Sequence, residues 1–421
     1  MVKLVIGIQW GDEGKAKVVD YLACDADYVV RFQGGANAGH TVFVDGRKYV
    51  FHLVPSGLLH PKTSVVIGNG VVVDIEALLG ELKEISQGVS LDGRVFISRR
   101  AHVVLPFHKL MDGAKEEKSV QKIGTTRRGI GPAYIDKADR VGIRVCDLYQ
   151  PGLETKIEAA TEVKRFLLEK YYGMTNLPSI PEITDSLYKQ AEAIKGYTAD
   201  TELLLQNAYR QGKFILMEGG QGSLLDVDFG TYPFVTSSNT ISPGMFSGTG
   251  IGYIPDLGIV GIAKAYITRV GEGPFPTEET GAIGESIRRK GKEFGATTGR
   301  PRRCGWLDTV IGRYSIGING VQEIFMTKLD VLDELETIKV CTAYELDGKK
   351  IDYPPASAEE LRRVKPVYQE LPGWKASTFG ARKYGELPAN ARSYIEYAEA
   401  KLGCRISYIS TGFEREDVII R

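Results

Sequence analysis

Residues 8–17, IQWGDEGKAK, set two glycines, two carboxylates and two lysines directly behind an apolar run. A glycine loop after a strand exposes backbone N–H groups and opens a helix N-terminus, and together these bind phosphate. Lys15 adds a positive charge. The standard phosphate loop has a glycine five positions before Gly14 and a Ser or Thr after Lys15; this chain has Gln9 and Ala16 there. A hydroxyl ligand for Mg²⁺ is therefore missing, and the nearest replacement is the Asp12 carboxylate. An ordinary strand-to-helix turn would suit two loose glycines equally well, but the full WGDEGK string is more specific.

A second loop, FQGGANAGHTV (32–42), packs three glycines around Asn37, His40 and Thr41. Of the five histidines only His40 lies in such a setting; His52, His60, His102 and His108 sit among apolar residues or Pro and read as structural. An imidazole held by glycine backbone near phosphate can donate a hydrogen bond to a developing oxyanion. KIGTTRRGIGPAY (122–134), followed by Arg140 and Arg144, alternates hydroxyls, guanidiniums and glycines, which suits bidentate recognition of phosphate. A plain basic surface, or a nucleic-acid contact, fits that composition too. EFGATTGRPRRCGW (293–306) repeats the design, and its arginines suit a carboxylate as well as a phosphate. MTKLDVLD (326–333) ends a strand in Thr-Lys-x-Asp. A carboxylate there can accept from guanine N1–H and the 2-amino group while the lysine stem covers the purine face. The STG turn at 410–412 ends a late strand. EGGQGSLLDVDFGTYPFVTSSNT (218–240) offers Gln221 and Thr236 to a base or ribose phosphate, whereas Asp226 and Asp228 suit a structural role.

These loops need strands to carry them. Apolar runs at 3–9, 26–32, 63–69, 214–220, 259–270, 323–332 and 405–412 read as strands, several ending in Gly, Thr, Ser or Asp, with a helix over 15–24. In an open α/β sheet ligands bind beyond the carboxyl ends of the strands. Residues 152–211 are poor in glycine and helically spaced, the core of a helical insertion spanning about 101–211. The expected fold is α/β, a large mostly parallel central sheet flanked by helices, resembling the P-loop NTPases, in one domain over 1–421.

The bulk numbers limit the partners. With 53 basic and 53 acidic residues among 421, net charge gives no general attraction to nucleic acid or membrane, so an anion site must be built locally. The five scattered cysteines lack CxxC spacing, against a disulfide framework or zinc site. No run approaches the roughly 20 apolar residues of a membrane span, and the apolar start is too short for a signal peptide; the expectation is a cytoplasmic protein.

The strings QWGDEGK, NAGHT, IGTT-RGIGPAY, EG-QG, TYPFVTSSNT, TRVGEGPFPTE, GATTGRPRR, GWLD, TKLDVLD, PGW and ISTG together resemble the adenylosuccinate synthetase family over essentially the whole chain. The resemblance implies an enzyme of AMP biosynthesis that joins L-aspartate to IMP using GTP and Mg²⁺, through 6-phosphoryl-IMP. It implies Asp12 as the base at IMP N1, His40 as the group stabilising phosphoryl transfer, and Lys15 and Gln221 beside them. For GTP it implies Gly11, Asp12, Glu13, Gly14, Lys15, Ala16 and Lys17, then Gly39, His40 and Thr41, then Arg302, and around guanine Lys328, Leu329, Asp330, Ser410, Thr411 and Gly412. For IMP it implies Asp12 to Lys15, Asn37, Ala38, Gly39 and His40, with Thr126, Gln221, Thr236, Arg300 and, from a neighbouring subunit of a homodimer, Arg140. Ala296, Thr297, Thr298, Gly299, Arg300, Pro301 and Arg302 match the aspartate clamp, and Asp12 with the Gly39 carbonyl the Mg²⁺ ligands. The chain departs from the usual pattern at Ala16, Ala36, Gly220 and Ser223; Ala16 is harmless if that position is already helical. A related branch condenses aspartate with dGMP and lacks the acidic group at the Asp12 position, which argues against that activity here. A guanine-nucleotide switch would need neither Asp12 nor His40.

Overall fold

The computed structural model describes residues 1–44, 47–120, 122–295 and 299–421. Ten strands form its main sheet: β1 (Val2–Gly7), β2 (Tyr28–Arg31), β3 (Ser64–Ile67), β4 (Val95–Ser98), β5 (Thr198–Ala199), β6 (Ile215–Glu218), β7 (Gly258–Lys264), β8 (Glu323–Thr327), β9 (Arg405–Ser410) and β10 (Val418–Ile420). Their order is β10-β9-β8-β7-β1-β6-β2-β3-β4-β5, with β10 antiparallel to β9 and every other pair parallel. A parallel sheet must be covered on both faces, and the strands alternate accordingly. Val5, Val29, Val65, Leu216, Val260 and Phe325 face one apolar layer; Leu4, Ile6, Val30, Met217, Ala263 and Met326 face the other.

The first layer is closed by α1 (Lys15–Leu22), α2 (Ile75–Ile85), α3 (Pro106–Lys118), α5 (Leu153–Phe166) and α6 (Ile180–Ile194), whose buried residues join the same core. The second is closed by α7 (Thr201–Arg210) and the helix Ala389–Leu402. The helix α4 (Ile130–Asp139) caps a small cluster of Val72, Val104, Ile130 and Ala133. Between residues 104 and 197 the described residues form helices, turns and one isolated bridge from Arg144 to His102, while β5 (Thr198–Ala199) brings the stretch 101–211 back to the sheet before its end.

The expected strands come out shorter at their ends, and the two longest runs stop well short. The run 259–270 leaves the sheet after Lys264, because Gln9 Nε2 takes the Lys264 and Tyr266 carbonyls; Ile267–Arg269 then pairs antiparallel with Arg303–Gly305. The run 323–332 stops at Thr327, where Lys328 turns left-handed (φ 63°) into a 3₁₀ turn over Leu329–Leu332. Parallel strands release their carboxyl ends along one edge. Arg31, Glu218, Lys264, Thr327 and Ser410 are each the last residue of such a strand.

Candidate active site

Gly14 caps α1 with φ 89°, a left-handed conformation that glycine adopts without strain, and it gives the phosphate-type loop its turn into the helix. Within that loop Glu13 is fully buried. Its Oε1 accepts from the Gln9 and Gly11 N–H groups (3.1 and 2.9 Å), its Oε2 meets Lys15 Nζ, and its backbone carbonyl accepts from Thr327 Oγ1 (2.6 Å). The Glu13 side chain therefore braces the loop from inside, and Lys15 is held beneath the loop rather than extended into water. Ala16 is buried within α1, in the helical backbone that alanine favours. Lys17 turns the other way, donating to Ser410 Oγ (2.6 Å) and to the Gly412 and Asp417 carbonyls (2.8 and 3.0 Å). Burial pushes its amine down to about 8, against the pull of Asp417, Asp330, Glu416 and Glu414.

His40 opens the strand His40–Val44, paired with Arg47–Phe51. Its Nδ1 is in close contact with Glu218 Oε1, while Glu218 Oε2 accepts from Ser56 N and Oγ (2.9 and 3.2 Å). Burial brings the imidazole below its ordinary value and outweighs the carboxylate, with Arg31 and Lys15 adding to the effect. Glu218 is held low in spite of its own burial, by His40, Arg31 and the Ser56 N–H. A carboxylate facing a neutral imidazole fixes the tautomer with the proton on Nδ1. Nε2 is then a lone pair that becomes a donor once the ring takes a second proton.

Behind this pair the polar groups are not all satisfied. Arg31 is fully buried, gives one N–H to the His52 carbonyl (3.1 Å), and leaves Nε and Nη2 without partners. Gln221 stands at φ 55° with both amide atoms buried and unpaired. Such orphans are costly in a closed protein and mark a place completed by something else. Gly34, whose missing Cβ would lie 3.2 Å from Gln221 Oε1 and 3.8 Å from Arg31 Nη2, lets the second loop come this close.

Asp12, also left-handed (φ 58°), keeps its side chain 32% exposed with Oδ2 2.8 Å from Arg302 Nε. The oxygen lies off the axis of that N–H, so the contact is an ion pair rather than an aligned hydrogen bond. Arg302 Nη1 is fixed on Glu293 Oε2 (2.6 Å), and Lys264 Nζ donates to Glu293 Oε1 (2.8 Å). Burial alone would raise Glu293, but Lys264, Lys328 and Arg302 hold it down at about 2. Among the described residues no three Asp, Glu, His or Cys side chains cluster as a metal site. A single partly exposed carboxylate suits a hard cation carried mainly on phosphate oxygens.

The arginine loops converge on the same edge. A Cβ at Gly124 would lie 3.3 Å from the Gly271 Cα and 3.7 Å from Arg300 Nη1, so the 122–129 and 299–302 segments meet there. Glu116 accepts the Ile123 and Gly124 N–H groups (3.3 and 2.8 Å) and Asp112 the Gly129 N–H (2.9 Å). Thr126 is half-buried in this loop, and Thr125 Oγ1 is buried without a partner. Thr236 is half-buried, its N–H on the Leu225 carbonyl (2.9 Å). Arg140 ends α4 in a left-handed, exposed position. Gly299, Arg300 and Pro301 are exposed, and Ala296, Thr297 and Thr298 lie outside the described residues.

At the far end Asp330 follows the Lys328 turn. Burial pushes its carboxyl up to about 6, against Lys328 and with Asp333 adding. Lys328 Nζ is on the Gly291 carbonyl (2.8 Å), and Leu329 is buried. Gly412 has no room for a side chain, since a Cβ would lie 2.3 Å from Asp417 Oδ2. Thr411 is buried with its hydroxyl on the Ala381 carbonyl (2.8 Å).

Three of the four histidines expected to be structural make structural bonds: His52 Nδ1 to the Ala38 carbonyl (2.6 Å), His60 to Asp20, and His108 Nε2 to Asp136 (2.8 Å); the fourth, His102, is buried with its Nδ1 unpartnered among the described residues. Asp226 accepts four backbone N–H groups, from Asp228, Phe229, Thr240 and Ile241. Sequence reading passed over Glu218, Arg31, Lys264 and Glu293. For the first three the available signal was a charged residue closing an apolar strand.

The family model for adenylosuccinate synthetase matches residues 4–419. The adenylosuccinate synthetases of Thermodesulfovibrio yellowstonii and Heliobacterium modesticaldum are 48% and 49% identical to this chain, covering 99% of it and 98% of each relative. The solved structure of fully ligated adenylosuccinate synthetase from Plasmodium falciparum superposes with a TM-score of 0.93 at 38% identity, over 100% of this chain and 99% of that one. Cyanophage S-2L succinoaminodeoxyadenylate synthetase, bound to dGMP and dATP, gives a TM-score of 0.65 over 100% and 95% of the two chains; at 20% identity that likeness is one of fold.

Proposed function

The chain belongs to the adenylosuccinate synthetase family, and we propose that it condenses IMP with L-aspartate, using GTP and Mg²⁺, to give adenylosuccinate, GDP and phosphate. One observation carries the reading: the phosphate-type loop, the buried His40–Glu218 pair and the orphaned Gln221 amide occupy one edge of the sheet, with a partly buried Asp330 carboxyl further along it.

In the first step the oxygen on carbon 6 of IMP attacks the γ-phosphorus of GTP. Asp12, released from Arg302, accepts the N1 proton, and the loop backbone with Lys15 holds the β- and γ-phosphates. Arrival of those anions favours the imidazolium form of His40, whose Nε2–H then donates to the oxygen gaining charge while Glu218 steadies Nδ1–H. The Gln221 amide, without a partner among the described residues, completes its hydrogen bonds on the same group. In the second step the aspartate amine adds at carbon 6 and phosphate leaves, a far better leaving group than an oxo substituent. Arg300 and Arg302 take the aspartate carboxylates, which is how Arg302 comes away from Asp12.

Asp12 and the Gly39 carbonyl would hold Mg²⁺, which would supply positive charge to offset that on the transferring phosphoryl group. Asp330 accepts two hydrogen bonds from guanine. Arg140, exposed at the end of α4, reaches IMP in the other subunit of a homodimer. A cytoplasmic location agrees with the absence, among the described residues, of any helix long and apolar enough to cross a membrane. The test is adenylosuccinate formation followed by absorbance, omitting each substrate in turn and offering dGMP in place of IMP. Product requiring IMP, aspartate and GTP together supports the reading; preference for dGMP overturns it.

A further inference from the structure

Glu293 joins the buried interior to the segment that carries Arg300 and Arg302. It follows the helix Ala282–Gly291 after a left-handed turn at Lys292 (φ 50°), and its side chain is fully buried. Three donors from separate parts of the chain meet that carboxylate. Oε1 accepts from Lys264 Nζ at the end of β7 (2.8 Å) and from the Tyr266 hydroxyl, and Oε2 accepts from Arg302 Nη1 (2.6 Å). Lys264 is itself buried and also donates to Thr268 Oγ1 (2.7 Å). The backbone repeats the connection: Arg302 N donates to the Glu293 carbonyl (2.9 Å), and Arg288 Nε donates to the Arg302 carbonyl (2.8 Å). The Arg302 guanidinium is therefore fixed at its Nη1 corner while its Nε rests against Asp12.

We propose that Glu293 is a positioning residue for the amino-acid substrate: it holds one corner of the Arg302 guanidinium, so that Arg302 passes from Asp12 to a carboxylate of the incoming aspartate without leaving its place. This role rests on the reading of Arg302 as an aspartate ligand and deepens it. Arg302 meets two carboxylates of unlike character. The bond to Glu293 is short and lies in the protein interior, whereas the Asp12 contact lies off the N–H axis at the surface of the site. The interior carboxylate is the fixed partner and the outer one the exchangeable partner. Charge points the same way. Lys264, Arg302 and Glu293, in direct contact, sum to one positive charge, which Asp12 offsets now and a substrate carboxylate offsets after the exchange. Without the Glu293 anchor the planar fork is free to turn and take Asp12 through two N–H groups, the geometry a guanidinium prefers with a carboxylate. That would withdraw Arg302 from the substrate.

The test uses Glu293→Gln, the double variant Glu293→Gln/Lys264→Met and Arg302→Leu in the full chain, with kcat, KM for aspartate and IMP, and thermal unfolding of each. In Glu293→Gln, KM for aspartate should rise about 10- to 100-fold, the range for loss of one hydrogen bond to a charged group, while KM for IMP stays within about twofold. Removing Glu293 alone leaves the buried Lys264 amine without its counter-charge, and the double variant removes that amine as well. A merely structural effect should therefore be recovered in the double variant along with its unfolding temperature, whereas a positioning role keeps KM for aspartate raised. If Glu293→Gln does not fold, the double variant decides. Parental KM for aspartate in Glu293→Gln or in the double variant overturns the proposal, as does an equal rise in KM for aspartate and IMP. Unchanged KM for aspartate in Arg302→Leu overturns the aspartate-ligand reading itself, a result distinguishable from failure of the Glu293 anchor alone.

Discussion

Replacing Glu218 by Gln changes one charge and almost no volume, and it isolates what the carboxylate does for His40. The amide oxygen can still accept from Ser56 N and Oγ, which now meet Oε2 at 2.9 and 3.2 Å, so the local fold should survive. The group turned toward His40 Nδ1 is then an NH₂, which forces Nδ1 to accept and reverses the tautomer. The cost falls on the imidazolium form. Opposite charges about 4 Å apart are worth about 4 kcal/mol at an effective dielectric near 20. Losing most of that in the transition state lowers kcat by about 10²- to 10³-fold. The pH dependence carries a sign. Glu218 raises the His40 proton affinity against burial, so its removal drops that affinity further. The limb on which activity falls as pH rises should therefore move to lower pH in the variant. Steady-state kinetics from pH 5 to 9, with thermal unfolding as a control, decide the matter. A variant with parental kcat and an unmoved profile refutes a charged role for His40.

Asp12→Asn should leave GTP binding within a few-fold while turnover falls by more than about 10²-fold, the usual scale for an acid–base group; unchanged turnover in initial-rate assays removes Asp12 from the proton transfer. Because Asp330 sits near 6 and must be ionised to accept from guanine, KM for GTP should rise as pH falls below about 6 and stay level above it, as initial rates at varied GTP will reveal. Asp330→Asn should shift preference toward xanthosine triphosphate, measured as the ratio of kcat/KM values, since the donor and acceptor pattern is inverted. Mixing inactive Arg140→Leu and Asp12→Asn proteins should restore partial activity if each site borrows Arg140 from its partner, and continued inactivity argues for self-contained sites.

Much of this was legible before any coordinates. Glycine loops after apolar runs mark carboxyl strand ends because local chain stiffness and hydrogen bonding decide both, and β1 with α1 came out nearly as read. The alternation of buried residues along the strands is likewise a local signal. What stayed hidden depends on partners far along the chain. Lys17 reads as one more phosphate-loop cation, yet its acceptors lie almost 400 residues away, at 410–417. Glu13 and Asp12 are adjacent and chemically alike, but one braces the loop interior and the other faces outward, a division set by backbone angles rather than residue type. Glu218 and Arg31 each close an apolar strand, and nothing local reveals that strand order sets β6 beside β2 and brings them together under His40. The pairing of Asp12 with Arg302 joins the phosphate-type loop to a segment far along the chain, which no local pattern reveals.

The central claim is that the oxygen on carbon 6 of IMP becomes an oxygen of the released phosphate. IMP labelled with ¹⁸O at that position, turned over with GTP and aspartate, puts the claim to a direct measurement by mass analysis of the phosphate. The account predicts one labelled oxygen in each phosphate formed per adenylosuccinate. Unlabelled phosphate, with the ¹⁸O found in water, would contradict it.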